Sequence, residues 1–181
     1  MTTEHRPAAP AECLCARQPT GGIEADQCPP DELGLQSYLE TSGGRGIHIM
    51  VPLTPKASWE EVKSFSQAVV KYIANSSLVG FRLCLARRTA SAKSSSTILR
   101  NAKGATTVNV YAARAREGLP VSVLIYREEV VELKSAARWN ITNLQERSDE
   151  LGGDDPWAEL ASTKQLITSE MRQRIGMTQK E

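Results

Sequence analysis

The feature that most constrains the fold of this 181-residue chain is a glycine-rich turn that leads directly into alternating side chains. Three of the four residues from 43 to 46 are glycine, and the chain continues as Ile47-His48-Ile49-Met50-Val51. Glycine allows a tight change of direction, and apolar residues at every second position are typical of a strand with one buried face. The pattern predicts a strand from Ile47, with His48 on the face opposite Ile47 and Ile49.

The same turn has the residue types of a phosphate-binding loop. Glycine N–H groups can converge on an anion, the Ser42 hydroxyl can donate a hydrogen bond, and the Arg45 guanidinium matches phosphate oxygens. The alternation places His48 beside the turn. Ser-Gly-Gly is also a common flexible turn, and a histidine on a strand is often structural, so the motif alone leaves both interpretations open.

Charge is segregated along the chain, although the formal net charge is only +1. Residues 75–116 contain no acidic residue, and their basic residues are Arg82, Arg87, Arg88, Lys93, Arg100, Lys103, Arg114 and Arg116. Such a block is either a solvated face or a surface for phosphate groups. Together with the turn, it favours binding of a nucleotide or nucleic acid.

Four segments resemble successive blocks of the polymerase domain of bacterial ATP-dependent DNA ligase D, in the archaeo-eukaryotic primase superfamily. They are residues 41–53, 99–108, 111–122 and 153–158. The resemblance covers about residues 32–168 and corresponds to the C-terminal half of that domain. It implies an α+β fold with a primase-polymerase-like mixed sheet and flanking helices, here incomplete.

The resemblance further implies a DNA repair nucleotidyltransferase of non-homologous end joining, which uses two Mn²⁺ or Mg²⁺ ions. The family's nucleotide phosphate-binding positions correspond to Ser42, Arg45, His48, Arg100 and Arg114. The implied partners are a nucleoside triphosphate, DNA ends, and a ligase D or Ku protein.

The metal-binding carboxylates of that family have no counterpart at the matching positions. Thr97 stands where the third family aspartate is expected, and the upstream acidic pair, Glu24 and Asp26, is followed by prolines rather than set in an apolar strand. A neutral hydroxyl does not replace a carboxylate that holds one of two catalytic metals. We therefore expect a degenerate, truncated domain that binds no metal and has no catalytic residue.

Residues 90–98 are serine-rich where a buried strand is expected. The family-like peptide R-V-G-K-I-F-I-D-Y, written in suitable codons and read one nucleotide later, becomes A-S-A-K-S-S-S-T-I, which is the sequence of residues 90–98. Our hypothesis is that a small insertion or deletion, compensated nearby, removed the aspartate and the apolar side chains together.

The remaining patterns divide the chain into a disordered or non-homologous lead-in over 1–31, a partial domain over 32–168 and a C-terminal tail over 169–181. The four cysteines lack the spacing of a zinc site. No apolar run has the length of a membrane span, and the start lacks the core of a signal peptide, so we expect a cytoplasmic protein without membrane contact.

Local signals predict several elements. Ser58 and Glu61 have the spacing of a capping box and open a helix to about Ala74, with a buried stripe of Val62, Phe65, Val69, Tyr72 and Ile73. Residues 121–126 form an apolar strand and residues 127–134 a short charged element. Asp155 and Pro156 have the pattern of a helix start, and that helix extends past Leu166.

Two alternatives stay open from the sequence. The chain is a non-catalytic protein that binds nucleotides or DNA ends and recruits a ligase, or it is an active polymerase completed by a separate polypeptide. The second alternative requires an adjacent reading frame that encodes the missing pair of aspartates.

Overall fold

The computed structural model describes residues 12–16, 29–44, 46–75 and 108–177. Within these ranges the strands are β1 (Glu12–Ala16), β2 (Tyr38–Thr41), β3 (Ile47–Val51) and β4 (Leu124–Ile125). The helices are α1 (Pro29–Glu32), α2 (Trp59–Asn75), α3 (Glu129–Glu132), α4 (Leu144–Leu151) and α5 (Ser169–Arg174). All strand pairs are antiparallel, in the order β1-β3-β2-β4. The predicted α+β class is therefore confirmed.

The strand predicted from the glycine-rich turn is confirmed as β3, the second strand of a hairpin with β2. Thr41 pairs with Ile47 and Tyr38 pairs with Met50, so the turn closes the hairpin at residues 42–46. Ile47, Ile49 and Val51 are buried in the hydrophobic core. His48 and Met50 consequently lie on the opposite face, because side chains alternate along a strand.

The core lies between one face of the sheet and the helices, with α2 as the longest contributor. Val62, Phe65 and Val69 of α2 are buried, as the helical spacing predicts, and Tyr72 is half-buried. The predicted capping box is present: Ser58 N donates to Glu61 Oε2 at 2.9 Å, and Glu61 N donates to Ser58 Oγ at 3.3 Å. Two otherwise unpaired N–H groups at the helix start are thereby satisfied.

The segment that begins at Asp155 is not the predicted helix. Asp155 Oδ1 accepts from Trp157 N at 2.8 Å, as at a helix start, but the following residues form successive turns rather than a helix. Tertiary bonds hold this conformation: the Trp157 indole N–H donates to Leu39 O at 3.0 Å, and the Thr163 hydroxyl lies 2.6 Å from that of Tyr38. Contacts with β2 therefore override the local helix signal.

Two other predicted elements differ in extent. The apolar segment 121–126 is regular strand only over Leu124–Ile125, and Val121 makes an isolated bridge with Ala113. The charged segment 127–134 contains the short helix α3. The serine-rich segment 90–98 lies outside the described residues.

The two ends of the chain contribute structure that the sequence patterns do not indicate. Within the predicted lead-in, β1 pairs with the free edge of β3 from Glu12 opposite Val51 to Ala16 opposite Ile47. Within the predicted tail, α5 begins at a Thr168 cap, and Ile175 lies in the hydrophobic core. An Arg172–Glu61 ion pair of 3.2 Å also joins α5 to α2.

Candidate functional site

The glycine-rich turn is closed by hydrogen bonds between its first and last residues. Ser42 N donates to Gly46 O at 2.9 Å, and Gly46 N donates to Ser42 Oγ at 3.3 Å. Gly43 has φ +58°, a left-handed backbone conformation that residues other than glycine rarely adopt. Ser42 Oγ accepts inside the turn, so its own O–H remains able to donate to a ligand.

Two arginines lie over the glycines of this turn, and both come from a second hairpin, residues 111–122, in which Ala113 bridges Val121. A Cβ atom added at Gly43 would lie 2.9 Å from Arg114 Cγ, and one added at Gly44 would lie 3.2 Å from a terminal nitrogen of Arg116. Arg114 is positioned by its N–H, which donates to Pro120 O at 2.8 Å. A side chain at residue 43 would therefore clash with Arg114 and with backbone atoms, whereas one at residue 44 would only shift the flexible end of Arg116.

The side chains that cover the glycine-rich turn carry positive charge. Arg114 is half-buried and Arg116 is exposed, and neither forms an ion pair with any of the residues described by the structure. Unneutralised guanidinium groups next to backbone N–H groups are suited to an anion with several oxygens, such as a phosphate chain.

On the strand that leaves the turn, His48 is paired with a buried carboxylate. His48 Nδ1 lies 2.6 Å from Glu40 Oε1, and Ser122 Oγ donates to Glu40 Oε2 at 3.3 Å. Glu40 is 1% exposed and His48 is 7% exposed. The pair follows from the hairpin register, because Glu40 is directly opposite His48 across β2 and β3.

The structure thus places three of the five predicted phosphate-binding residues around one turn. Ser42 is in the turn, Arg114 covers it, and His48 lies on the strand that follows it. Arg45 and Arg100 lie outside the described residues.

Sequence reasoning did not assign Arg116, Glu40 or Ser122 to this site. Arg116 belongs to the basic block and lies two residues from Arg114. Glu40 is a charged residue within an apolar strand. The sequence did contain a signal for Glu40: a hairpin built around the glycine-rich turn places Glu40 opposite His48.

A second buried charge lies beside β4, an edge strand of the sheet, where Arg147 of α4 is hydrogen-bonded to Glu129. The two carboxylate oxygens of Glu129 accept from the guanidinium at 2.5 and 2.8 Å, and Leu124 O accepts from it at 2.7 Å. Burial disfavours the charged form, but the hydrogen bonds and charges of Glu129 and Glu150 outweigh it and raise the pKa of Arg147. The hydrogen bonds of Arg147 hold α4 against β4.

A metal site for Mn²⁺ or Mg²⁺ would need several oxygen ligands close together. Among the described residues, no three His, Cys, Asp or Glu side chains are grouped so that they could hold a metal ion. Glu40, the carboxylate next to the turn, is already engaged by His48 and Ser122. In the same ranges, no helix is both long and apolar enough to cross a membrane.

The described residues thus form an α+β domain in which two arginines lie over the glycine-rich turn of the β2–β3 hairpin. The family described as "LigD, primase-polymerase domain" matches residues 30–157. The chain belongs to this family.

Two relatives give the extent of the similarity. The chain is 47% identical over 146 residues to the "Multifunctional non-homologous end joining protein LigD" of Pseudomonas aeruginosa, covering 81% of this chain and 17% of that protein. It is 28% identical over 123 residues to the "Bifunctional non-homologous end joining protein LigD" of Bacillus subtilis, covering 67% of this chain and 20% of that protein. The matched region is therefore at most a fifth of the length of these relatives.

Proposed function

We propose that the chain is a primase-polymerase-type domain of non-homologous end joining that binds nucleoside triphosphates and DNA ends without transferring nucleotides by itself. The observation that carries the proposal is the placement of Arg114 and Arg116 over Gly43 and Gly44. The names of the relatives, both non-homologous end joining proteins, supply the biological context.

In this proposal the triphosphate lies along the turn. The Ser42 hydroxyl and the turn N–H groups donate to its oxygens, and the Arg114 guanidinium neutralises its charge. Arg45 and Arg100 are assigned to the same triphosphate on the basis of the family resemblance. DNA ends would bind through the basic block, of which residues 75 and 108–116 are described.

The absence of nucleotide transfer is proposed on chemical grounds. Two-metal phosphoryl transfer needs carboxylates that hold both ions, and Thr97 stands at the position of one of them. The frameshift hypothesis makes a direct prediction: the DNA that encodes residues 90–98 should spell a family-like strand with an aspartate codon in another forward frame. A reading of all three frames without such a peptide would leave divergence toward binding as the better explanation.

Binding is tested by calorimetric titration of the full chain with ATP at low salt. We expect Arg114→Ala to weaken binding by about tenfold or more, since a hydrogen bond to a charged group contributes about 1.5 to 3 kcal/mol. The matched control is Arg138→Ala, because Arg138 is an exposed arginine whose guanidinium is already paired with Glu150 at 3.1 Å. Equal ATP affinity in wild type and Arg114→Ala would contradict the proposed site.

Catalysis is tested with Mn²⁺, nucleoside triphosphates and a primed, gapped DNA. The purified chain should extend no primer. Template-dependent extension that disappears in Arg114→Ala would refute the proposed inactivity, because a contaminating polymerase would not respond to that substitution.

A further inference from the structure

A cavity that the glycine-rich turn does not line lies beside α4. Its volume is about 570 Å³, within the range of pockets that hold ligands. Its lining combines apolar or aromatic side chains with two charged ones: Tyr111, Ile141, Leu144 and Leu151, and Arg147 and Asp154. We propose that this cavity binds a basic peptide segment of a partner protein. This site is additional to the proposed function and does not rest on it.

The apolar side of the cavity is exposed where a ligand would cover it. Tyr111 is 50% exposed and Ile141 is 55% exposed, although both are large hydrophobic residues. Leu144 and Leu151 of α4 are half-buried, and Leu144 packs against the hydrophobic core. Tyr111 has φ +61°, and its N–H donates to Ser122 O at 2.8 Å, so the second hairpin fixes this residue beside the cavity. Apolar side chains of a ligand would be stabilised by covering this surface.

The charges around the cavity are mainly negative. Residues 144–155 contain five acidic residues and one basic residue, Arg147. The charge of Arg147 is balanced by ion pairs with Glu129 and Glu150. Asp154 is exposed and forms no ion pair within the described ranges. The cavity lining therefore holds a carboxylate that is available to a cation.

The pKa of Tyr111 indicates the same sign of potential. Burial raises this pKa and the charge of Asp155 raises it further, whereas Arg147 lowers it by less. A carboxylate therefore outweighs the arginine at the Tyr111 hydroxyl. Such a surface attracts a cationic side chain, which can also lie over the Tyr111 ring, and it repels the phosphates of a nucleic acid.

Arg147 adds a requirement for a hydrogen-bond acceptor. Its side chain is 3% exposed, and its terminal nitrogens donate to Glu129, Glu150 and Leu124 O. The Nε–H is buried without an acceptor among the described residues. Buried donors are normally paired, so a ligand oxygen at the wall formed by Arg147 would complete its hydrogen bonds. A peptide supplies that oxygen from its backbone, together with the cationic and apolar side chains that the rest of the cavity favours.

The first measurement locates the binding site without any substitution. The full chain, labelled with ¹⁵N, is titrated at low salt with the peptide acetyl-Gly-Leu-Arg-Ala-Leu-Arg-Gly-amide. We expect the backbone amide signals of Ile141, Ser148 and Gly153 to shift, because these residues line the cavity. A peptide with glutamate in place of both arginines should cause no shift at about 1 mM. Added salt should weaken binding of the arginine peptide, since part of the attraction is between charges.

Two substitutions with matched controls test the contacts. Asp154→Asn should weaken binding of the arginine peptide by at least about threefold. Its control, Glu170→Gln, removes one negative charge from an exposed residue outside the cavity and should have no effect. Ile141→Ser should also weaken binding by at least about threefold, because it removes apolar contact area. Its control is Leu166→Ser, since Leu166 is an exposed apolar residue that does not line the cavity.

Several results would overturn the proposal. They are no shift with the arginine peptide at about 1 mM, shifts that lie away from the cavity, equal binding of the glutamate peptide, and equal losses in Asp154→Asn and Glu170→Gln. A short oligothymidylate that shifts the same amide signals would assign the cavity to nucleic acid instead. Peptide binding without ATP binding would refute the proposed function alone, and ATP binding without peptide binding would refute this inference alone.

Discussion

Gly43→Ala is the substitution that most directly tests the close packing of the glycine-rich turn. Gly43 has φ +58°, and an added Cβ would meet Arg114 Cγ at 2.9 Å, Val121 C at 3.1 Å and Pro120 O at 3.2 Å. Two of these three neighbours are backbone atoms of the second hairpin, which cannot move aside as a flexible side-chain end can. The alanine must therefore displace a hairpin as well as adopt a disfavoured conformation.

The loss of stability expected for Gly43→Ala has two parts. A left-handed conformation costs a residue other than glycine about 1 to 2 kcal/mol, and inserting a methyl group into a packed site costs about 1 to 3 kcal/mol. The free energy of unfolding should therefore fall by about 2 to 5 kcal/mol. Gly118 is the matched control, because it has φ +77° but nothing within 4 Å of an added Cβ. Gly118→Ala should lose only the conformational part, about 1 to 2 kcal/mol.

Urea unfolding followed by tryptophan fluorescence measures both values, since Trp139 is buried in the core and reports loss of packing. The difference between Gly43→Ala and Gly118→Ala isolates the steric part. Equal losses of stability in the two variants would show that the second hairpin does not press against the turn, and the reasoning that joins Arg114 to Gly43 would fail.

Two further predictions concern the rest of the domain. Arg147 and Arg138 both lie 4.9 Å from the Trp139 ring centre, but their side chains are 3% and 53% exposed. In urea unfolding, Arg147→Met should cost about 3 kcal/mol and Arg138→Met less than about 1 kcal/mol, so equal losses would contradict a buried ion pair. At the start of α2, the hydrogen bond from Ser58 N and the contact with Arg172 lower the pKa of Glu61 below its usual 4.5. Its contribution to stability is therefore present above pH 4.5 and lost as the pH falls through the lowered pKa, and Glu61→Gln should remove this part of the acid dependence in unfolding measured from pH 6 to 2.5.

The elements that the sequence predicted well are those whose signals are local. The hairpin strand β3 follows from alternation, and α2 follows from its capping box and helical stripe. The prediction of a helix from Asp155 is wrong, because the conformation of this segment depends on residues that are distant in sequence. Trp157 and Thr163 bond to β2, more than a hundred residues earlier, and these bonds hold the segment in turns.

The site was predictable to the extent that it lies on one hairpin. Ser42 and His48 are close in sequence, so the turn brings them together without further information. The position of Arg116 over Gly44 depends on how a second hairpin docks some seventy residues later, which no local pattern encodes. The partnership of Glu40 with His48 needs the strand register, which is set by the length of the turn.

That register links the stability of the hairpin to its chemistry. One face of β2 and β3 presents Leu39 and Ile49 to the core, and the other presents Glu40 and His48 to each other. A shift by one residue would exchange the faces, placing His48 among the apolar side chains of the core and Ile49 on the face that holds Glu40. The tight turn at Gly43 opposes such a shift, because its left-handed conformation fixes which residues pair. A substitution at Gly43 should therefore weaken triphosphate binding as well as folding, since it disturbs the turn and the alignment of Glu40 with His48 at once.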